Sequence, residues 1–139
     1  MTTTSILISL GLFLAYMIYN YWKIKKSSNI PQNEAIVELT SQNFNRQTKN
    51  GVMLVDFWAD WCMPCKMMVP ILNNVVTELP REAKVGKVDI QKYNDLASKL
   101  KVRNIPTMIL FKDGIEVNRF VGVKQKDFLL KEILKTINS

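Results

Sequence analysis

Val55-Asp56-Phe57-Trp58-Ala59-Asp60-Trp61-Cys62-Met63-Pro64-Cys65-Lys66 holds the only two cysteines of this 139-residue chain. The apolar run Met53 to Ala59 precedes them, and Val52 to Ala59 reads as the central strand. Met68, Ile71, Leu72, Val75, Val76 and Leu79 after them recur at spacings of three and four and give one face of a helix. A Cys-x-x-Cys pair where a strand hands over to a helix has the spacing for reversible closure of a small disulfide ring. Pro64 falls in the first helical turn, where a missing N–H costs nothing. A helix beginning near Cys62 aims its free N–H groups and positive dipole end at that sulfur and favours its thiolate. Cys65, one turn further in, is expected to be less exposed and less polarised. Cys62 is therefore read as the attacking nucleophile and Cys65 as the resolving cysteine.

Two plainer readings weigh less. A zinc site needs two more Cys or His ligands, and the chain has no further Cys and no His, so no metal set is expected. A purely structural disulfide across so short a loop would remove little chain entropy.

Val55 to Lys66 resembles the active-site stretch of thioredoxins, with a Trp-Cys-x-Pro-Cys motif, and Val102-Arg103-Asn104-Ile105-Pro106-Thr107 resembles their Ile-Pro-Thr loop. The likeness extends from about Ile36 to Ile137. Met63 stands where thioredoxins usually have Gly; Pro64 is kept, which implies a reducing character. The resemblance implies a thiol-disulfide oxidoreductase that reduces protein disulfides through a Cys62-Cys65 disulfide, with no bound cofactor and electrons from a separate reductase.

Around the cysteines, Asp56 is the one charge in an otherwise apolar strand. A carboxylate there is costly to ionise, so its pKa should be raised toward the range of a usable proton acceptor. The resemblance gives Asp56 the task of deprotonating the resolving cysteine, and Lys87 that of tuning Asp56. From its own surroundings Lys87 reads as an exposed strand residue. The resemblance also places Pro106 in a cis peptide against the disulfide, with the Ile105 backbone free to pair with an extended substrate. Trp61 and Met63 flank Cys62 and should be exposed. With Pro64, Ile105 and Pro106 they form the expected substrate-binding rim for varied disulfide partners. Trp58 is expected inside, and the resemblance places Val123 near the cysteines.

The rest of the domain alternates strand and helix. Ile36 to Leu39 and Val85 to Ile90 read as strands. Thr40 or Ser41 can cap a helix toward Lys49, and Tyr93, Leu96, Ala97 and Leu100 make a further amphipathic helix. Thr107 to Phe111 and Ile115 to Val121 flank an Asp113-Gly114 hairpin signal. Leu130, Ile133, Leu134 and Ile137 define a closing helix. The expected fold is α/β: a thioredoxin fold with a central mixed sheet of about five strands, flanked by about four helices and preceded by one transmembrane helix.

Residues 1–22 lack charged side chains, and Ile6 to Ile18 is almost wholly apolar, with Tyr16, Tyr19, Tyr21 and Trp22 at its far end. The 18 residues from Ser5 to Trp22 span about 27 Å as a helix, enough for a hydrocarbon core. A cleaved signal should open with basic residues and end in small ones, so a retained anchor is the preferred reading. Residues 23–34 read as a linker and 35–139 as one thioredoxin domain. Lys23, Lys25 and Lys26 just beyond the anchor favour a cytoplasmic domain by the positive-inside rule. The resemblance also allows a periplasmic one, working as a reductase, isomerase or cytochrome-maturation thiol donor. The electron source would accordingly be a thioredoxin reductase or a membrane electron donor. A third reading is an adapter in which redox is incidental. The formal charge of +7 falls to +4 without those three lysines, and the remaining lysines are scattered without aromatic interleaving, so no nucleic-acid partner is expected.

Overall fold

A computed structural model describes residues 2–27 and 30–139. It forms two compact units that divide between Pro31 and Gln32. Ser28 and Asn29 of the expected linker lie outside the described residues, as does Met1.

The first unit is one helix, α1 (Thr2–Ser27). Its side chains from Thr3 to Trp22 are exposed, apart from half-buried Asn20. The stretch Thr3–Lys23 is long and apolar enough to cross a membrane, a test that an anchor and a signal sequence both pass. The helix continues beyond Trp22 to Ser27, so the first linker residues are helical. Lysines are good helix formers and their charge suits the carbonyl end of a helix.

The second unit is built on one five-stranded sheet: β1 (Val37–Leu39), β2 (Val52–Trp58), β3 (Ala83–Asp89), β4 (Thr107–Lys112) and β5 (Ile115–Val121), in spatial order β1-β3-β2-β4-β5. β1, β3 and β2 run parallel; β4 is antiparallel to β2 and β5 to β4. Being central, β2 is buried on both faces, which is why it reads as an unbroken apolar run. Its alternate residues feed two cores. Val52 and Leu54 pack with α3 (Met63–Glu78) and α5 (Lys126–Ile137) through Met68, Leu72, Val75, Leu129 and Ile133. Met53, Val55 and Phe57 face the opposite core, with Phe44 of α2 (Phe44–Thr48) and Leu96 and Ala97 of α4 (Asn94–Lys99).

Local chemistry accounts for the joints. Thr40 Oγ1 accepts the Asn43 N–H while Asn43 Oδ1 accepts the Thr40 N–H, at 3.1 and 2.8 Å. The expected Thr40 cap thus forms, but it closes a turn, and the helix proper starts only at Phe44. Asp113 and Gly114 both take positive φ, 51° and 83°, as a two-residue hairpin turn requires. The Asn33 N–H donates to Asn73 Oδ1 at 2.8 Å and fastens the start of this unit to α3. In α5 the buried positions are Leu129 and Ile133, one turn apart, while Leu134 is 45% exposed. Of the expected Leu130-Ile133-Leu134-Ile137 set, Ile133 is in the core and Leu130 and Ile137 pack against it, while Leu129 takes the buried place expected for Leu134.

Gly86 in β3 faces Leu39 and Met53 so closely that a Cβ would lie 2.6 and 2.7 Å from their side-chain tips. Gly86→Ala should therefore lower unfolding stability by about 1–2 kcal/mol, the tips being able to give a little. A urea midpoint equal to that of the parent would contradict this packing.

Candidate active site

The strand-to-helix handover creates the site. β2 ends at Trp58, the Ala59 carbonyl accepts the Cys62 N–H at 3.2 Å, and Cys62 becomes the N-cap of α3. Its backbone is extended, and its Sγ accepts the Cys65 N–H at 3.2 Å. A helix N-terminus leaves its first N–H groups without carbonyl partners, and here a sulfur takes one of them. Pro64 sits in the first turn as expected, and α3 continues through Pro70 without interruption to Glu78.

Cys62 and Cys65 are joined as a disulfide, with Cα atoms 5.3 Å apart. They are 4% and 3% exposed, so the expected difference in exposure is absent in this oxidised form; what distinguishes them is position along the helix. Both pack with Ala59, and Trp58, Ile90 and Ile105 lean on the cluster. The Ile105-Pro106 peptide is cis, and the Pro106 carbonyl accepts the Gly122 N–H at 2.8 Å, which ties this turn to the end of β5. Trp61 and Met63 stand out at 65% and 68% exposure, and Pro64 is exposed beside them. The ring is thus nearly covered while Trp61, Met63 and Pro64 project around it as an exposed apolar rim.

Asp56 lies on the face of β2 that also carries Leu54 and Trp58. It is 1% exposed, and its Oδ1 has no hydrogen-bond partner among the described residues. Burial drives its pKa from 3.8 up to about 7, with the Lys87 charge opposing part of the rise. Lys87 is the direct cross-strand neighbour of Asp56. It is buried, not exposed as its own sequence surroundings suggest, because β3 is an inner strand and α3 and α5 cover this face. Desolvation lowers the Lys87 pKa, and the carboxylates of Asp56 and Glu38 oppose that. The Lys87 ammonium lies 4.6 Å from the centroid of the Trp58 ring. A cation–π contact there offsets some of the lost hydration.

The fold thus brings Trp58, Ile105 and both cysteines together and sets Asp56 against Lys87. Val123 does not join them; it packs in the core under α3 and α5. Sequence reasoning missed Ile90, whose N–H donates to the Trp58 carbonyl at 3.0 Å and whose side chain reaches the disulfide cluster. Its place just past the end of an apolar strand was the available signal. Among the described residues no group of His, Cys, Asp and Glu is arranged to hold a metal ion.

Comparison with known proteins agrees with this geometry. The thioredoxin family model matches residues 35–135. A thioredoxin from Chlamydia pneumoniae is 47% identical over 97 residues, covering 70% of this chain and 94% of that protein. The Bacillus subtilis thioredoxin is 42% identical over 101 residues, 73% of this chain and 97% of its own length. Among solved structures, a mutant thioredoxin from Halobacterium salinarum superposes with a TM-score of 0.69 at 31% identity, covering 78% of this chain and 96% of that one. A family match that runs through the cysteine ring and the cis-proline turn, carried by relatives aligned over nearly their whole length, places this chain in the thioredoxin family of protein-disulfide oxidoreductases.

Proposed function

We propose that the chain is a membrane-anchored protein-disulfide reductase in which Cys62 attacks, Cys65 resolves, Asp56 accepts the resolving proton and Lys87 tunes Asp56. Residues 1–22 serve as the anchor, 23–34 as the linker and 35–139 as the catalytic domain. The observation that carries the assignment is Cys62 at the N-cap of α3, with its sulfur accepting the Cys65 N–H.

The Cys62 thiolate attacks one sulfur of a substrate disulfide, whose S–S bond breaks and whose other sulfur leaves as a thiolate that takes a proton. Cys65 then gives its proton to Asp56 and attacks Cys62 Sγ. The mixed disulfide breaks, the second substrate thiolate departs and the Cys62-Cys65 ring closes. Two electrons have passed to the substrate. Trp61, Met63 and Pro64 supply apolar contact to the arriving segment, and the backbone of Ile105 before Pro106 offers it strand-like pairing. The polarizable, flexible Met63 suits a rim that meets varied sequences. A separate reductase returns the electrons: a thioredoxin reductase if the domain is cytoplasmic, the side favoured by Lys23, Lys25 and Lys26, or a membrane electron donor if it faces outward.

Both the role of Cys62 and the side of the membrane are open to thiol labelling. After mild reduction near pH 7, a limiting dose of a membrane-impermeant maleimide should modify Cys62 ahead of Cys65, because only the former sits at the helix end. In intact cells the label should be excluded and should enter after lysis. Labelling of Cys65 first would reverse the two roles, and labelling in intact cells would put the domain outside.

A further inference from the structure

The pairing of β1 with β3 and of β3 with β2 sets Glu38, Lys87 and Asp56 in one row across three adjacent strands. Residues opposite one another in a sheet project from the same face, with neighbouring strands about 5 Å apart. Burial falls steadily along the row: Asp56 is 1% exposed, Lys87 7%, and Glu38 is open to solvent. Lys87 therefore stands in register between two carboxylate residues, Glu38 on one side and Asp56 on the other. Neither closes an ion pair on it among the described residues, and it rests against the Trp58 ring.

We propose that Glu38 is a positioning residue for Asp56: its carboxylate draws the Lys87 ammonium toward the solvent end of the row and so limits how far that charge neutralises Asp56. Other groups on this face leave the row undisturbed. Asp89 spends Oδ1 on the N–H groups of Gln91 and Lys92, at 2.9 and 3.3 Å. Met108 and Phe120, which continue the row on β4 and β5, are apolar. Leu129 and Ile133 of α5 are apolar too, and Lys126 is held by Glu78 at 2.8 Å. The α3 residues in the site are Cys62 and Cys65, which do not titrate while joined. Asp60 and Lys66 are exposed.

The sign follows from charge alone. Removing the Glu38 charge frees Lys87 to favour ionised Asp56 and also removes a distant negative charge, so both effects make Asp56 more acidic. Removing the Lys87 charge makes it less acidic. The direct influence of Glu38 across two strand spacings is weak beside solvent, so most of its effect should run through Lys87.

The test is the titration of the Asp56 carboxyl carbon by NMR in the oxidised full chain in detergent micelles, with the signal assigned by its loss in Asp56→Asn. Glu38→Gln should lower the midpoint by about half a pH unit and Lys87→Met should raise it by about one. In the Lys87→Met background, Glu38→Gln should shift it by only a small fraction of that amount. Lys87→Gln takes the place of Lys87→Met if that variant does not fold. An unchanged midpoint in Glu38→Gln, or a shift of undiminished size without Lys87, overturns the proposal. Its bearing on catalysis rests on Asp56 as proton acceptor. The titration reads Asp56 directly, so a flat pH profile of ring closure would sink that role while leaving the Glu38 result legible.

Discussion

Cys65→Ser is expected to hold the chain on its substrate. Cys62 keeps its place at the helix N-cap, still attacks a disulfide and still releases the first substrate sulfur. No second sulfur remains to displace it, and the Ser hydroxyl that replaces the thiol is not acidic enough to act in its stead. One covalent mixed disulfide per chain should accumulate, visible as a dithiothreitol-sensitive band on non-reducing gels, while turnover falls by roughly 10³-fold or more. Cys62→Ser should lose turnover to the same degree and form no such band. A band from Cys62→Ser, with none from Cys65→Ser, would exchange the roles. Turnover retained in both variants would favour a chain that binds partners without redox chemistry.

Asp56→Asn should make the protein more stable and slower, each with its own dependence on pH. The folded-state pKa of Asp56 is raised, from 3.8 to about 7. Below pH 4 the carboxyl is protonated in both folded and unfolded chains and contributes no difference. Between pH 4 and 7 the unfolded chain has lost a proton that the folded chain still holds. Stability therefore declines as pH rises through this window and levels off above it. Asn mimics the protonated form at every pH. Its advantage should be near zero at pH 4 and reach about 4 kcal/mol at pH 8, the opposing attraction of Lys87 being already contained in the raised pKa. Urea unfolding of the oxidised parent and variant across this range checks it, and stability curves that run parallel would contradict the raised pKa. In the parent, ring closure should gain rate as pH rises to about 7, where Asp56 becomes a competent base, and then flatten. The variant should lack that inflection and run about 10²-fold slower above it.

Much of this site was legible before any coordinates. The cysteine spacing, the apolar strand ahead of it and the helical period behind it are local signals, and they placed the disulfide ring at a strand-to-helix handover, where it stands. The buried state of Asp56 was also local, since a lone carboxylate in an unbroken apolar run has few places to go. Lys87 was not legible in this way. In Ala83-Lys84-Val85-Gly86-Lys87-Val88-Asp89 the two lysines look alike, and only the pairing of β3 with β2 sends Lys87 beneath the helices while Lys84 stays exposed. Glu38 was hidden for the same reason, as its meeting with Lys87 depends on a register between strands almost fifty residues apart. In α5 the periodicity admitted Leu134 and passed over Leu129, because Leu129 lies four residues from Ile133 just as Leu134 lies four from Leu130. What the sequence left open is what long-range pairing decides.

The central claim, that the Cys62-Cys65 pair passes two electrons to a protein disulfide, is tested most directly by a single turnover. The full chain, fully reduced and freed of reductant, is mixed with an excess of a disulfide-linked protein, and both products are counted by mass. One substrate disulfide should open per chain while the chain loses the mass of two hydrogen atoms and regains the Cys62-Cys65 ring. A chain that keeps both thiols in the presence of excess disulfide would contradict the account.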